Sequence, residues 1–154
     1  MRDLVKGLAA LGELTPRITD AIASDGERLS TSILAQVLEN EGMTSQLMDA
    51  RECIITDDNF MRAAPMFDLT DAAIVRHLTP VIQAGKIPVF QGFIGRTRTG
   101  TTTTIGRGGS DYSAAIVGAA MDVEDIQIWT DVDGIMTTDP RMVKEARRIR
   151  AISF

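Results

Sequence analysis

Apolar residues recur at every third or fourth position in several stretches of the chain, and this spacing predicts amphipathic helices. Thr15 followed by Pro16 predicts the start of the second helix, with Thr15 as its capping residue. Asp25-Gly26 is expected to end that helix, and Pro80 to kink the fourth or begin its last turn. The predicted helices cover residues 3–11, Pro16 to about Ser24, Glu27 to Gly42, Thr70 to Ala84, and Ser110 or Asp111 to Met121.

Short apolar runs between these helices predict strands at residues 44–48, 54–56, 87–90 and 126–130. Residues 91–105 are rich in Gly, Thr and Arg, which favours a hairpin lying over a site, or else a solvent-exposed hairpin without a role. The alternation of strands and helices predicts an α/β domain with a mainly parallel sheet. Ligands bind such sheets at the carboxyl ends of the strands.

The glycine-rich stretch from Gly106 to Asp111 opens directly into the last helix. Its glycines allow positive φ and close approach of the backbone, and free N–H groups at a helix start attract anions. Arg107 adds a guanidinium suited to a carboxylate or a phosphate. The stretch therefore predicts an anion site, although an ordinary strand-to-helix connection with normal capping has the same pattern.

Carboxylates are dense between residues 131 and 140, just after the predicted strand that ends at Thr130. They could hold Mg²⁺, ribose hydroxyls or an adenine amino group, and Arg141 could neutralise a polyphosphate. Asx-turns without a ligand give the same composition. The sequence contains neither GxxxxGK[ST] nor a GxGxxG after a strand.

Composition indicates one globular domain and narrows the class of partner. The 154 residues are 44% hydrophobic and 24% charged, and the net charge is −5 without a basic run, which disfavours nucleic-acid binding. The single Cys53 excludes an internal disulfide, and the single His77 is expected on a helix as a surface or packing residue. No apolar run reaches the roughly 18 residues of a membrane span, and no signal-peptide pattern is present, so a cytoplasmic location is expected.

Five segments in this order resemble the aspartate kinases of the amino-acid kinase superfamily, and the resemblance extends over essentially the whole chain. They are residues 26–30 (GERLS), 55–60 (ITDDNF), 91–95 (QGFIG), 106–113 (GRGGSDYS), and 128–134 (IWTDVDG) with 138–141 (TDPR). The resemblance implies a three-layer α/β/α sandwich with a mainly parallel sheet. It also implies phosphoryl transfer from ATP with Mg²⁺ to the 4-carboxylate of L-aspartate, the first step of lysine, threonine and methionine biosynthesis.

The resemblance also implies roles for individual residues. Glu27 would contact the amino group of aspartate, and Arg107 would hold a substrate carboxylate. Asp111 would organise a catalytic lysine. The remaining implied positions are Gly108, Gly109 and Ser110 in the aspartate pocket, and Thr130, Asp131, Met136 and Arg141 at the nucleotide; no residue is assigned to a metal.

The chain also departs from this family's pattern. Family members begin with a Lys-Phe-Gly-Gly turn, and nothing before Asp3 resembles it; a second lysine segment and ACT-type regulatory domains would lie beyond Phe154. Residues 1–154 are therefore expected to form a partial catalytic domain, incomplete at both ends and prone to self-association. A non-catalytic segment that binds aspartate or nucleotide, and a kinase for another amino acid, are the alternatives.

Overall fold

A single helix dominates the first third of the protein. The computed structural model describes residues 12–106, 108–130 and 134–152, so the helix predicted at residues 3–11 lies outside the described residues. Helix α1 spans Pro16–Asn40, and the side chain of Thr15 accepts a hydrogen bond from the Ile18 amide, as predicted for the cap.

The break predicted at Asp25-Gly26 is wrong, because α1 continues through both residues. A glycine inside a helix costs only about 1 kcal/mol relative to alanine, which tertiary packing readily exceeds. Local contacts also span the position: Asp25 pairs with Arg28 at 3.4 Å. The Asp25-Gly26 pair alone therefore led to a prediction of two helices where the structure has one.

The buried face of α1 is small and polar rather than apolar. Its buried residues are Asp20, Ser24, Thr31 and Ala35. The apolar residues whose spacing predicted the helix lie mostly outside this face, with Leu29 64% and Ile33 58% exposed. Small side chains allow α1 to approach neighbouring segments closely and to form hydrogen bonds with them, as Thr31 does by accepting from Nε2 of Gln91 at 2.9 Å.

The remaining elements alternate between strands and helices, as predicted for an α/β fold. In chain order they are β1 (Ser45–Leu47), α2 (Ala50–Cys53), β2 (Ile55–Thr56), α3 (Phe67–Gln83), β3 (Ile87–Val89), β4 (Ile94–Thr97), β5 (Thr102–Thr104) and α4 (Gly109–Ala120). The short helix α2 was not predicted; it is capped by Asp49, whose side chain accepts from the Arg51 amide at 3.0 Å. Pro80 lies inside α3.

The strands form two small sheets. Strand β1 pairs with β3 in parallel, with Gln46 opposite Pro88, and β2 pairs with β4 in parallel. Strands β4 and β5 form the predicted hairpin, with Gly95 opposite Thr103. Strand β3 contacts both α1 and α3, so helices flank the strands in an α/β/α arrangement.

The core lies between α2, α3 and α4. The buried residues of this cluster are Cys53, Ile54, Ile74, Leu78 and Ile116. Because Ile116 is on α4, the core fixes the helix that follows the glycine-rich stretch.

The strand predicted at residues 126–130 is wrong, since this segment is neither helix nor strand. A strand needs a neighbour to satisfy its backbone groups, and no described residue pairs with this segment in a ladder. Ile126 instead packs on α4, where a Cβ added at Gly118 would overlap its side chain. None of the helices in the described residues has the length and apolar character that crossing a membrane requires.

Candidate active site

The glycine-rich stretch connects β5 to α4 through two residues with positive φ. Gly106 has φ 93° and Gly108 has φ 73°, a region that side chains with a Cβ rarely occupy. The expected capping by Ser110 or Asp111 is wrong: Gly108 is the N-cap, and no side chain of a described residue caps the helix. The Gly109 amide donates to the Gly106 carbonyl at 3.1 Å, so the amide groups that follow it in the first turn are the ones suited to other acceptors. Arg107 lies outside the described residues.

Neighbouring backbone segments approach this stretch so closely that glycine is required. A Cβ added at Gly92 would lie 2.8 Å from Oγ of Ser110, and one at Gly109 would lie 2.7 Å from Cβ of Phe93. Real Cβ atoms essentially never lie within 3.0 Å of another non-bonded heavy atom. The segment after β3 and the start of α4 are thus in direct contact.

A cavity of about 840 Å³ opens at this point. Helix α1, the loop after β2, Phe93 and the glycine-rich stretch surround it. Its lining residues are Thr19, Asp20, Ala23, Met61, Arg62, Phe93, Thr104, Ile105, Gly106, Gly108, Gly109 and Ser110. The structure therefore brings three predicted aspartate-pocket residues, Gly108 to Ser110, to the wall of one cavity.

Glu27 is linked to the same region through the backbone. Its Oε1 accepts a hydrogen bond from the Gly92 amide at 3.1 Å, and Gly92 in turn packs against Ser110. Glu27 is not among the lining residues, but a single residue separates its carboxylate from the glycine-rich stretch. The structure thus brings Glu27 towards the residues with which the sequence grouped it.

Asp20 is a functional candidate that the sequence analysis missed. Only 1% of it is exposed, and its carboxylate accepts from the Met61 amide (2.9 Å), the Thr104 amide (3.0 Å) and the Thr104 hydroxyl (2.7 Å). In the described part of the chain no cation pairs with it. The sequence did contain one indication of this role: Asp20 is at helical spacing from Ser24 and Thr31, so it belongs to a helix face of small and polar side chains.

The other predicted site residues do not line this cavity. Asp111 is exposed in the first turn of α4, Thr130 is exposed, and Met136 forms an isolated bridge with Arg148. Arg141 is 89% exposed and pairs with Asp139 at 2.9 Å. Asp131 lies outside the described residues.

Asp139 forms an Asx-turn, which was one of the two interpretations of the carboxylate-rich residues 131–140. Its Oδ1 accepts from the Arg141 amide at 2.9 Å, and the hydrogen bonds from Arg141 lower the pKa of the exposed Asp139 carboxyl. No group of three or more His, Cys, Asp or Glu among the described residues is arranged to hold a metal ion.

Cys53 is a core residue rather than a nucleophile. It is fully buried, and burial raises the pKa of its thiol to about 11. The thiolate, which is the reactive form, is therefore negligible at neutral pH. His77 is half-buried on α3, with Nδ1 3.9 Å from Oε2 of Glu52, in agreement with a packing role.

Comparison with known proteins identifies the family. The model of the amino acid kinase family matches residues 3–154. The chain belongs to the amino acid kinase family. Curated relatives include the lysine-sensitive aspartokinase 3 of Escherichia coli, 41% identical over 95% of this chain, and the chloroplastic aspartokinase 1 of Arabidopsis thaliana, 38% identical over 100% of it. The chain spans 32% and 27% of their respective lengths, in both cases less than a third.

Solved structures show the same relationship. E. coli aspartokinase III in complex with aspartate and ADP (R-state) superposes with a TM-score of 0.86 and 37% identity, covering 96% of this chain and 34% of that one. The same enzyme with lysine and aspartate (T-state) gives a TM-score of 0.79 and 38% identity, with the same coverage. These matches confirm the expected α/β/α fold of this family and the resemblance to aspartokinases.

Proposed function

We propose that this chain is part of an aspartate kinase catalytic domain. It would take part in transferring the γ-phosphoryl group of ATP to the 4-carboxylate of L-aspartate, giving 4-phospho-L-aspartate. The observation that carries the proposal is the cavity of about 840 Å³ at the glycine-rich stretch, with Gly108 to Ser110 in its wall and Glu27 held beside it through Gly92. The E. coli relative that superposes on the chain was solved with aspartate and ADP.

The chemistry of the site fits a small zwitterionic substrate. The uncapped start of α4 offers amide donors and the positive end of a helix dipole to a carboxylate. The Glu27 carboxylate, oriented by the Gly92 amide, would accept hydrogen bonds from the substrate ammonium group. Arg107 is proposed to hold a substrate carboxylate, and Asp111 to organise a catalytic lysine.

The nucleotide is proposed to bind at the segment after α4. Thr130, Asp131, Met136 and Arg141 are the candidate contacts, and Mg²⁺ bound to the phosphates would supply charge neutralisation. Phosphoryl transfer asks little covalent chemistry of a protein and depends on positioning and electrostatic stabilisation. The donors around the glycine-rich stretch are suited to positioning the acceptor carboxylate.

Binding tests the substrate assignment directly. In ¹⁵N-labelled chain, L-aspartate should shift the amide signals of Gly92 and of residues 108–110 in a saturable manner. Glu27→Gln removes the negative charge facing the substrate ammonium group, and Arg107→Ala removes hydrogen bonds to a substrate carboxylate. Each should weaken aspartate binding at least about tenfold and leave ADP binding unchanged. Glu13→Gln, an exposed acid outside the site, is the matched control. Unchanged aspartate affinity in both site variants would contradict the assignment.

Turnover separates the kinase from the two alternatives. A hydroxylamine trap with ATP, Mg²⁺ and L-aspartate should yield aspartyl hydroxamate if the chain carries a complete site. Saturable aspartate binding without hydroxamate would favour a non-catalytic binding segment. Hydroxamate formed from another amino acid, and not from aspartate, would favour a kinase with a different acceptor.

A further inference from the structure

A second cavity, of about 420 Å³, lies between α3 and the end of β4. Arg76 comes from α3, Arg96 from β4, and Arg98 from the turn that follows β4; all three line the cavity. The floor is aliphatic and consists of Ile55, Leu69, Ala72 and Ala73. None of these residues lines the cavity at the glycine-rich stretch.

The charge of this cavity is opposite to that of the chain. Its lining has three arginines and one acid, Glu52, in a protein of net charge −5. The Glu52 side chain is 62% exposed, and its Oε2 lies 3.9 Å from Nδ1 of His77. Within residues 12–106, 108–130 and 134–152, no carboxylate pairs with Arg76, Arg96 or Arg98.

The guanidinium groups also keep most of their donors for a ligand. Arg96 gives one Nη1 hydrogen bond to the Thr97 carbonyl at 3.2 Å, and Nη2 of Arg76 lies 3.0 Å from Nε2 of His77. Each guanidinium has five N–H donors, so these contacts leave others unused. Like charges that share a cavity repel one another, and an anion between them removes that repulsion.

We propose that this cavity binds a small phosphate-bearing molecule. Guanidinium groups match phosphate oxygens in bidentate geometry, and arginine is the residue best suited to planar recognition of this kind. The aliphatic floor would contact a non-polar part of the ligand, and the volume lies in the range of small-molecule sites. The proposal does not depend on the proposed kinase activity, because no candidate aspartate or nucleotide residue contributes to this cavity.

Inorganic pyrophosphate is the probe for this site, with succinate as the carboxylate comparison. In ¹⁵N-labelled chain at about 0.1 M salt, where charges beyond about 10 Å are largely screened, pyrophosphate should shift amide signals of residues 72–76 and 96–98 with saturation. Succinate should shift them more weakly. The double variant Arg96→Gln/Arg98→Gln should bind pyrophosphate at least about tenfold more weakly, because hydrogen bonds to charged groups are lost. Arg76→Gln, at an exposed helical position, provides an independent second variant.

The control removes the same charge elsewhere. Arg17→Gln/Arg150→Gln changes two exposed arginines outside the cavity and should leave the affinity within about twofold, since exposed distant charges are screened. An equal loss in this control would overturn the proposal, because the binding would then follow net charge. Shifts confined to residues 108–110, or the absence of saturable shifts, would overturn it too. Succinate binding as tightly as pyrophosphate would overturn the assignment to phosphate.

Discussion

The hydroxyl of Thr104 donates a hydrogen bond to Oδ1 of Asp20 over 2.7 Å. It joins the buried face of α1 to the last residue of β5, two positions before Gly106. The Thr104 amide donates to the other carboxylate oxygen at 3.0 Å, and the Met61 amide donates at 2.9 Å. One carboxylate thus holds three chain segments that surround the cavity at the glycine-rich stretch.

Asp20→Asn should lower the free energy of unfolding by about 1.5–3 kcal/mol, because the amide group places N–H donors opposite N–H donors and removes the charge that they solvate. Urea unfolding measures the change. Asp25→Asn on the same helix removes a partly exposed ion pair with Arg28 and should cost less than about 1 kcal/mol. Equal losses in the two variants would contradict the prediction, because the buried hydrogen bonds of Asp20 would then contribute no more to stability than an exposed ion pair.

Gly92→Ala should destabilise the fold by about 1–3 kcal/mol, as overpacking of a well-packed site does. The new Cβ would lie 2.8 Å from Oγ and 3.0 Å from Cα of Ser110, so the start of α4 must shift. Thermal unfolding gives the stability change. The hydrogen bond from the backbone N–H of residue 92 to the Glu27 carboxylate should weaken in parallel. A variant as stable as the parent would mean that α4 can move away without cost.

Gly26→Ala should stabilise the fold, in contrast to Gly92→Ala. Gly26 lies inside α1 at negative φ, and a Cβ there meets no heavy atom within 4 Å. Alanine lowers the conformational entropy of the unfolded chain and favours the helix, so the variant should be more stable by about 0.5–1 kcal/mol. Urea unfolding of Gly26→Ala beside Gly92→Ala makes a matched pair. Destabilisation by Gly26→Ala would contradict the prediction.

Local signals predicted those elements whose cause is local. Thr15-Pro16 fixed the start of α1 through a side-chain cap and a preset φ, and the Gly and Thr pattern of residues 91–105 gave the β4–β5 hairpin. The positive φ predicted for the glycine-rich stretch is confirmed at Gly106 and Gly108, because few residues other than glycine adopt that conformation. The predicted cap of α4 is wrong, since Gly108 is the N-cap and the polar residues Ser110 and Asp111 are already helical.

Tertiary contacts decided the features that the sequence did not predict. Whether α1 breaks at Gly26, and which face it buries, depends on the strands it meets; spacing alone favoured the stripe containing Leu29 and Ile33. The strand predicted at residues 126–130 depends on a pairing partner that no short pattern reveals. The partners of Asp20 lie 41 and 84 residues away, at Met61 and Thr104, so neighbouring residues gave no sign of its role.

The last prediction concerns the pH dependence of stability at Asp49, the cap of α2. Arg51 donates from Nε to Oδ1 at 2.8 Å, and its hydrogen bonds hold the pKa of the Asp49 carboxyl below its ordinary value of 3.8 despite partial burial. Because the folded pKa lies below the unfolded one, the ionised carboxylate stabilises the fold above about pH 4. That contribution is lost as pH falls through the folded pKa. Asp49→Asn keeps a capping oxygen but cannot titrate.

The parent should therefore exceed Asp49→Asn in free energy of unfolding by about 0.5–1 kcal/mol at neutral pH, the range of a partly exposed ion pair. The difference should shrink as the pH is lowered below about 4. Urea unfolding from pH 7 to pH 2 measures it, and other acids that titrate in both proteins, such as Asp139, cancel in the difference. The same comparison in an Arg51→Gln background should show a smaller difference, since the main cause of the lowered pKa is gone. A difference that stays constant with pH would mean that the substitution acts through packing or capping rather than through the charge of Asp49.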